Sequence, residues 1–584
     1  MADPTSQVRA STDPSPTGVH YKWIALTNTT LGVLMATLNG SITLISLPAI
    51  FRGLNLQPLV AGNVSYLLWL LMGYLVVSAV FVVALGRLGD MRGRVRIYNA
   101  GFAVFTIGSV ALALDPLTGG AGAMWLIIWR IVQGFGGAML AANSTAIVTD
   151  AFPVTQRGLA LGVNQVAGLA GSFIGLVAGG LLSVWDWRAV FFLSVPIGVL
   201  GTVWAYRSLR EIGVTRRARF DYLGNGLWAV GLVALLVAIT YGIQPYGGST
   251  EGWGNPLVLA GLVGGVAVLI VFCIVELRVK EPMFNIRLFR GRAFAAGTTA
   301  GLLASIARGG LQFMLIIWLQ GIWLPLHGYS FQQTPLWAGI YLLPLTIGFL
   351  VAGPLSGFLS DRWGARFLAT AGLLVAALSF LLLMVLPVNF AFPAFAALIF
   401  INGVGSGLFS APNIASIMNS VPPGQRGAAG GLQSTATFAG MTLSIGIFFS
   451  LMVQGLAGPI KNALFTGLHS HGVPAQLASA ISSIPPVGSL FAAFLGYNPL
   501  GTLLNEFGVK PSHLPPGTYQ LLTSKEYFPG LISNAFHQGL IVVFAMAAGM
   551  MVLAAICSVL RGGRSIYVEP ALEKPAAATA SKSE

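Results

Sequence analysis

Apolar residues occur along the chain in fourteen continuous runs of about 20 residues or more, the length an α-helix needs to cross a bilayer, and short polar, glycine- or proline-bearing stretches separate them. The runs predict helices near 23–50, 60–85, 97–114, 123–148, 158–184, 189–206, 221–243, 256–275, 294–321, 335–357, 367–388, 394–418, 427–456 and 537–561. Only helices and closed barrels satisfy the backbone inside lipid, and the short alternating segments of a barrel are not the pattern here. The fold class predicted is an all-α membrane protein with fourteen transmembrane helices.

The polar intervals carry further expectations. Met1 to Tyr21 is rich in Ser, Thr and Pro without an apolar core, which predicts a cytoplasmic tail over 1–22 rather than a signal peptide. A second tail is expected over 562–584. Residues 457–536 read as a long external segment marked by Pro485-Pro486 and Pro515-Pro516. Within it, Ala475 to Tyr497 is apolar enough to lie on the membrane or over the exit, or to form a re-entrant helix.

Composition sharpens this picture. With 55% apolar and 8% charged residues, against roughly a quarter charged in soluble domains, the chain is neither a soluble enzyme nor a disordered protein. A net charge of +14 would suggest nucleic acid in a soluble chain. Here 24 of the 31 basic residues fall on one side if the N-terminus is cytoplasmic, so the balance is the excess of inside Lys and Arg that sets topology. Both termini are expected in the cytoplasm, the protein in the plasma (inner) membrane, and no nucleic-acid partner. Cys273 and Cys557 fall within spans, so no disulfide framework, thiolate metal site or other metal centre is expected. The chain holds no phosphate-binding G-x-x-x-x-G-K-[ST] loop and no cluster of His or acids within spans, so no cofactor is implied and enzymatic chemistry is disfavoured. A monomer in contact with membrane lipids is the expected state.

The chain also repeats itself. Gly86-Arg87-Leu88-Gly89-Asp90-Met91-Arg92-Gly93-Arg94 recurs as Gly357-Phe358-Leu359-Ser360-Asp361-Arg362-Trp363-Gly364-Ala365, 271 residues on (361 − 90). Pro153-Val154-Thr155-Gln156-Arg157-Gly158 recurs as Pro422-Pro423-Gly424-Gln425-Arg426-Gly427, 269 residues on (426 − 157). Two matches at nearly one offset predict two six-helix bundles, 23–206 and 294–561, with 207–293 contributing two inserted helices and basic linkers. Parallel repeats of this kind belong to transporters whose substrate site lies between the halves near the bilayer midplane.

These residues resemble the major facilitator superfamily, and specifically its fourteen-helix branch of drug:proton antiporters. Gly86 to Arg96 resembles the signature G-x-L-x-D-x-x-G-R-[RK] between helices 2 and 3, and Arg130-Ile131-Val132-Gln133-Gly134 resembles the R-x-x-Q-G of helix 4. Gly171, Gly175, Gly179 and Gly180 resemble the glycines of the exporter motif in helix 5. The resemblance implies the major facilitator fold and efflux of hydrophobic or amphiphilic compounds by alternating access. It implies a conformational latch between halves at Gly86, Asp90, Gly93 and Arg94, with Asp361 and Arg362 as a weaker second latch, and a coupling or gating role for Arg130. A glycine stripe lets membrane helices approach closely, here to pack within one half or to seal the halves against each other. Leu176 stands where the exporter motif carries Pro.

A second departure concerns charge. The family's first helix carries an Asp nine residues before a Pro, whereas here Asn39 stands nine residues before Pro48. None of the 17 acidic residues falls deep in a predicted span, so the buried acid that proton-driven antiport ordinarily uses is missing, and whether protons are a partner stays open. Asp150 and His537 are the remaining candidates for a titrating group. The buried charge is positive: Arg130, and Arg308, which lies 53 residues before Asp361 as Asn39 lies 51 before Asp90. Both arginines either pair structurally with their surroundings or face the central cavity and favour anionic or zwitterionic amphiphiles. The cavity lining is expected to include Trp69, Tyr74, Gln133, Asn143, Asn164, Gln165, Gln312, Phe313, Trp318, Gln320 and Tyr341, a soft aromatic and amide surface suited to a small amphiphilic substrate. The alternative reading is a lipid or anionic-amphiphile transporter without carboxylate-based proton coupling.

Overall fold

The structure is a computed structural model. It describes residues 19–562, apart from 58–59, 61, 154–155, 213–220, 250, 280–281, 283, 423–425, 484 and 510–513. The two predicted tails lie outside the described residues up to 18 and from 563 onward, as do parts of both Pro…Gln-Arg-Gly repeats.

The described residues form helices and no strand. The first half holds α1 (Val19–Gly53), α2 (Asn63–Arg92), α3 (Arg94–Ala113), α4 (Gly119–Ala151), α5 (Arg157–Trp185), and a sixth span broken into α6 (Trp187–Phe192) and α7 (Ser194–Ser208). The inserted pair is α8 (Tyr222–Gly242) and α9 (Pro256–Arg278). In the second half α10 (Arg292–Trp318) continues through a π-helical turn, Leu319–Trp323, into α11 (Leu324–Leu326), and α12 (Thr334–Tyr341) continues into α13 (Leu343–Trp363). Then come α14 (Ala365–Val385), α15 (Phe392–Asn419), α16 (Arg426–Ser470), the short α17 (Ala475–Ser482), α18 (Pro486–Phe494), α19 (Leu500–Glu506) and α20 (Thr518–Leu522), and finally α21 (Tyr527–Leu560). Fourteen of these helices are long and apolar enough to cross a membrane. An even number of spans returns α21 to the face where α1 begins, called here the terminal face, and the opposite one the distal face.

The duplication extends from the loops into the packing. On α3 and α4, a Cβ built on Gly136 would stand 2.6 Å from the amide nitrogen of Phe105, and on α14 and α15 one built on Gly405 would stand 2.6 Å from that of Ala376. Gly136 and Gly405 are 269 residues apart, and Phe105 and Ala376 are 271 apart. Both halves therefore cross these two helices at a point where only a missing side chain permits the approach. Gly93 and Gly364 close the repeated loops with φ of 107° and 85°, a region that L side chains avoid.

The segment between the last two spans differs from its expected extent. The α16 helix runs on to Ser470 and α21 starts at Tyr527, so the connection begins at 471 rather than 457 and ends at 526 rather than 536. Leu456, Ile460, Leu464 and Leu468 are all buried, and their spacing of four keeps one apolar stripe against the neighbouring helices after mean hydropathy has fallen. The α17–α18 pair bends by 80°, and the nearly water-free side chains of Leu490, Phe491 and Phe494 on α18 join the largest hydrophobic cluster.

Candidate functional site

The centre of the first half is a polar network around Arg130 of α4. Its guanidinium donates to the Asn39 amide oxygen on α1, to Gln133 Oε1 at 2.9 Å and to the Leu70 carbonyl of α2 at 3.2 Å, and it lies over the Tyr74 ring at 4.8 Å. Gln133 passes the chain on to Ser109 Oγ at 2.9 Å, and the Tyr74 hydroxyl donates to the Ala36 carbonyl at 3.1 Å. Asn39, Arg130, Gln133 and Tyr74 are each at most 1% exposed. A cation at the middle of a bilayer costs at least about 2.5 kcal/mol on insertion scales. Here amide and carbonyl dipoles and an aromatic face meet that cost. Where the family's helix 1 would present a carboxylate, Asn39 instead accepts from the arginine. Arg130, expected either to face the cavity or to pair with its surroundings, has its donors on partners within the first half.

Arg308 differs. It is the seventeenth residue of the 35-residue span Arg292–Leu326 and is half-buried. No hydrogen bond or ion pair to it occurs among the described residues, and its guanidinium carbon lies 5.8 Å from the Phe349 ring centroid on α13. Gly301, two turns earlier on the same face, abuts Gln433 of α16 and Asn413 of α15. Arg308 thus lies on the face of α10 that turns toward α13, α15 and α16.

The signature loop forms a second cluster at the terminal face. Arg94 bonds Asp90 at 2.8 Å and Asp150 at 2.6 Å. Glu211, after α7, accepts from the backbone amides of Arg94 and Val95, both at 3.0 Å, and so caps the N-terminus of α3 as an anion should. Tyr21 of α1 bonds the Arg210 carbonyl at 2.8 Å. All of these partners belong to the first half or its exit. Sequence reading did not single out Glu211, which lies 117 residues from Arg94. Gly86 faces Ala142 of α4, where a Cβ would stand 3.4 Å away. Gly93 leaves room for the Glu211 carboxylate, 2.6 Å from a built Cβ. In the second loop Arg362 lies over the Phe358 ring at 5.2 Å, and the side chain of Asp361 lies outside the described residues.

The helix 5 glycines divide between two neighbours. Gly171 and Gly175 abut Leu34 and Leu38 of α1, and Gly179 abuts Ile42 and Ile45. Gly180 instead abuts Leu336 of α12 in the other half, and Gly339 of α12 abuts Leu176 of α5. Beside this seam Gln320, in the π-helical turn, donates to the Ile45 carbonyl at 3.1 Å, and Arg52 reaches the Leu495 carbonyl after α18 at 3.4 Å. The distal face is sealed between the halves. The inserted pair straddles a second seam, where Trp228 donates to the Val80 carbonyl of α2 at 3.0 Å and Trp253 to Ser450 of α16 at 2.9 Å.

Most of the expected lining is packed. Asn143 bonds the Met139 carbonyl at 2.9 Å, and Asn164 bonds Ser144 at 3.1 Å and accepts from Thr30. Trp318 and Phe313 are buried, Trp318 against Phe390 at 5.0 Å. Tyr341 bonds Tyr329 at 2.8 Å, and Trp69 packs at the edge of the main cluster. Gln165's side chain lies outside the described residues. Gln312 is half-buried, one turn beyond Arg308.

Residues 29–444 match the Major Facilitator Superfamily model, more than half of the chain. The chain belongs to that superfamily. This facilitator is 28% identical over 440 residues to the riboflavin transporter RibZ of Clostridioides difficile (strain 630), covering 74% of the chain and 89% of that protein. It is 29% identical over 444 residues to the multidrug resistance protein Stp of Mycobacterium tuberculosis, covering 75% and 77%. It is 26% identical over 475 residues to the tetracenomycin C resistance and export protein of Streptomyces glaucescens, covering 80% and 84%. Among solved structures, a bacterial homologue of the human lysosomal transporter Spinster, captured inward-facing and unoccupied, matches with a TM-score of 0.55 at 16% identity, covering 95% of this chain and all of that one. The facilitator is a multi-pass membrane transporter rather than an enzyme.

Proposed function

We propose that this facilitator is a secondary exporter of hydrophobic or amphiphilic compounds in the plasma membrane, with its terminal face in the cytoplasm. The observation that carries the reading is the seal at the distal face, made between two duplicated halves by Gly180, Gly339, Gln320 and Arg52. Rocking the halves would break that seal and tighten the contact toward the terminal face, where Gly431 of α16 abuts Val83 of α2. The relatives whose names record multidrug resistance and tetracenomycin export support a drug-like cargo, and RibZ supports a planar amphiphile.

In the opposite conformation Asp90 and Arg94 latch the halves at the terminal face, with Asp361 and Arg362 as their counterparts. The described acids within the spanning helices all sit within three residues of a helix end: Asp90, Asp150, Glu276 and Asp361. This placement favours, as a second reading, transport of anionic amphiphiles or lipids without a carboxylate-borne proton. The test is efflux of a hydrophobic fluorescent dye from cells that express the protein, repeated with a protonophore and followed by proton flux in vesicles. Export that needs the gradient and moves protons with the dye supports the antiporter. Dye movement without proton movement supports the second reading, and a dye that stays in the cells whatever the gradient rules out the exporter.

A further inference from the structure

The two arginines buried in the membrane are in opposite situations. Arg130 is 1% exposed and its donors are taken by Asn39, Gln133 and Leu70. Arg308 is half-buried and has a single ring neighbour, Phe349. No acid of the described chain stands at its depth, because every described acid lies in a loop or near a helix end. Its donors are unused among the described residues, and the half-buried Gln312 one turn on shares the face of α10 that turns toward α13, α15 and α16.

We propose that Arg308 is the anion-recognising residue of the translocation cavity, taking the carboxylate or phosphate head of an amphiphilic substrate, with the Phe349 ring beside the guanidinium. The proposal rests on the transport reading above and adds the charge class of the cargo. Guanidinium presents paired donors to a planar carboxylate and stays charged at any working pH. The cavity lets the charge in and out without burying it for good, which a fully enclosed arginine such as Arg130 could not do. The fixed positive charge also disfavours cationic compounds by repulsion, so the selectivity runs opposite to that of a cavity with an acid on helix 1, the position Asn39 occupies here.

The test uses full-length protein in liposomes and three probes that share one body: pyrenebutyrate, its neutral amide, and pyrenebutyl-trimethylammonium. Tryptophan quenching reads binding and external pyrene fluorescence reads transport. A charge-assisted hydrogen bond predicts that wild type holds the butyrate about ten- to a hundred-fold more tightly than the amide. In Arg308→Gln the butyrate falls to the level of the amide while the amide is unchanged, and Arg308→Lys keeps part of the preference. Equal affinity of wild type for butyrate and amide overturns the proposal, as does an Arg308→Gln variant that weakens all three probes alike. A butyrate preference lost in Arg308→Gln, with no probe moved by wild type, supports the anion site and sinks the transport reading. Movement of amide and cation with no preference for the butyrate does the reverse.

Discussion

At the scale of single residues, what decides behaviour is whether a buried polar group has been given partners. Arg130 has been given dipoles and no counter-charge. Replacing it with Ala strands the Asn39 amide, Gln133 and the Leu70 carbonyl, and the expected loss is about 1–3 kcal/mol, read as a fall in the melting temperature of the detergent-solubilised protein. Asn39→Asp supplies the missing charge, so the same measurement is expected to show that variant at or above wild type, and Asn39→Leu well below it. Asp115, in the loop after α3, is a milder case. Burial pushes its carboxyl above the ordinary carboxylate range, although the Leu117 amide and Arg188 pull the other way. The raised folded value means that ionisation destabilises the fold. Stability from this group is therefore gained as pH falls through that value toward about 4 and lost as pH rises through it. Melting temperatures across that window should slope in wild type and be flatter in Asp115→Asn.

At the scale of helices, the glycines on α1 and α5 make a matched comparison. A Cβ on Gly175 would stand 2.5 Å from the Leu38 carbonyl, whereas one on Gly40 would meet nothing within 4 Å. Gly175→Ala is expected to force α1 and α5 apart and lower stability, while Gly40→Ala is neutral or gains up to about 1 kcal/mol from helix propensity. Thermal melts of the two variants side by side check this, and a more stable Gly175→Ala would contradict the packing described. The spans themselves were legible because lipid demands long apolar runs. The extra turns of α16 were not, since Lys461, Asn462 and His469 lower the mean while Ile460, Leu464 and Leu468 keep a stripe of spacing four that a hydropathy average discards. The departure at Asn39 was visible in the sequence, but its partner was not, because Arg130 lies 91 residues away and only the crossing of α1 with α4 brings them together. Glu211 escaped for the same reason, being an exposed-looking acid in a basic linker until the end of α7 carries it to the start of α3.

At the scale of the whole molecule, the distal seam between the halves leaves no room for an added side chain, since a Cβ on Gly180 would stand 2.5 Å from the Leu336 Cα. Gly180→Leu is expected to wedge that seam open and to cut dye export at least tenfold, whereas Gly549→Leu on α21, where an added Cβ meets nothing within 4 Å, leaves export unchanged. Full export by Gly180→Leu would mean that the seam need not close.

The 45-residue α16 reaches about 68 Å, roughly twice the hydrocarbon thickness of a bilayer. Its surplus turns, with α19 and α20, form a knob on the side away from Val19 and Leu560, while α18 packs back against the spans, Phe491 lying 4.8 Å from Phe449 and Phe494 against Gly321. The protein thus carries a handle for telling its two sides apart in a living cell. In the orientation proposed above, a protease or an impermeant label applied to intact cells reaches the knob and spares an epitope placed at either chain end, and everted vesicles reverse the result.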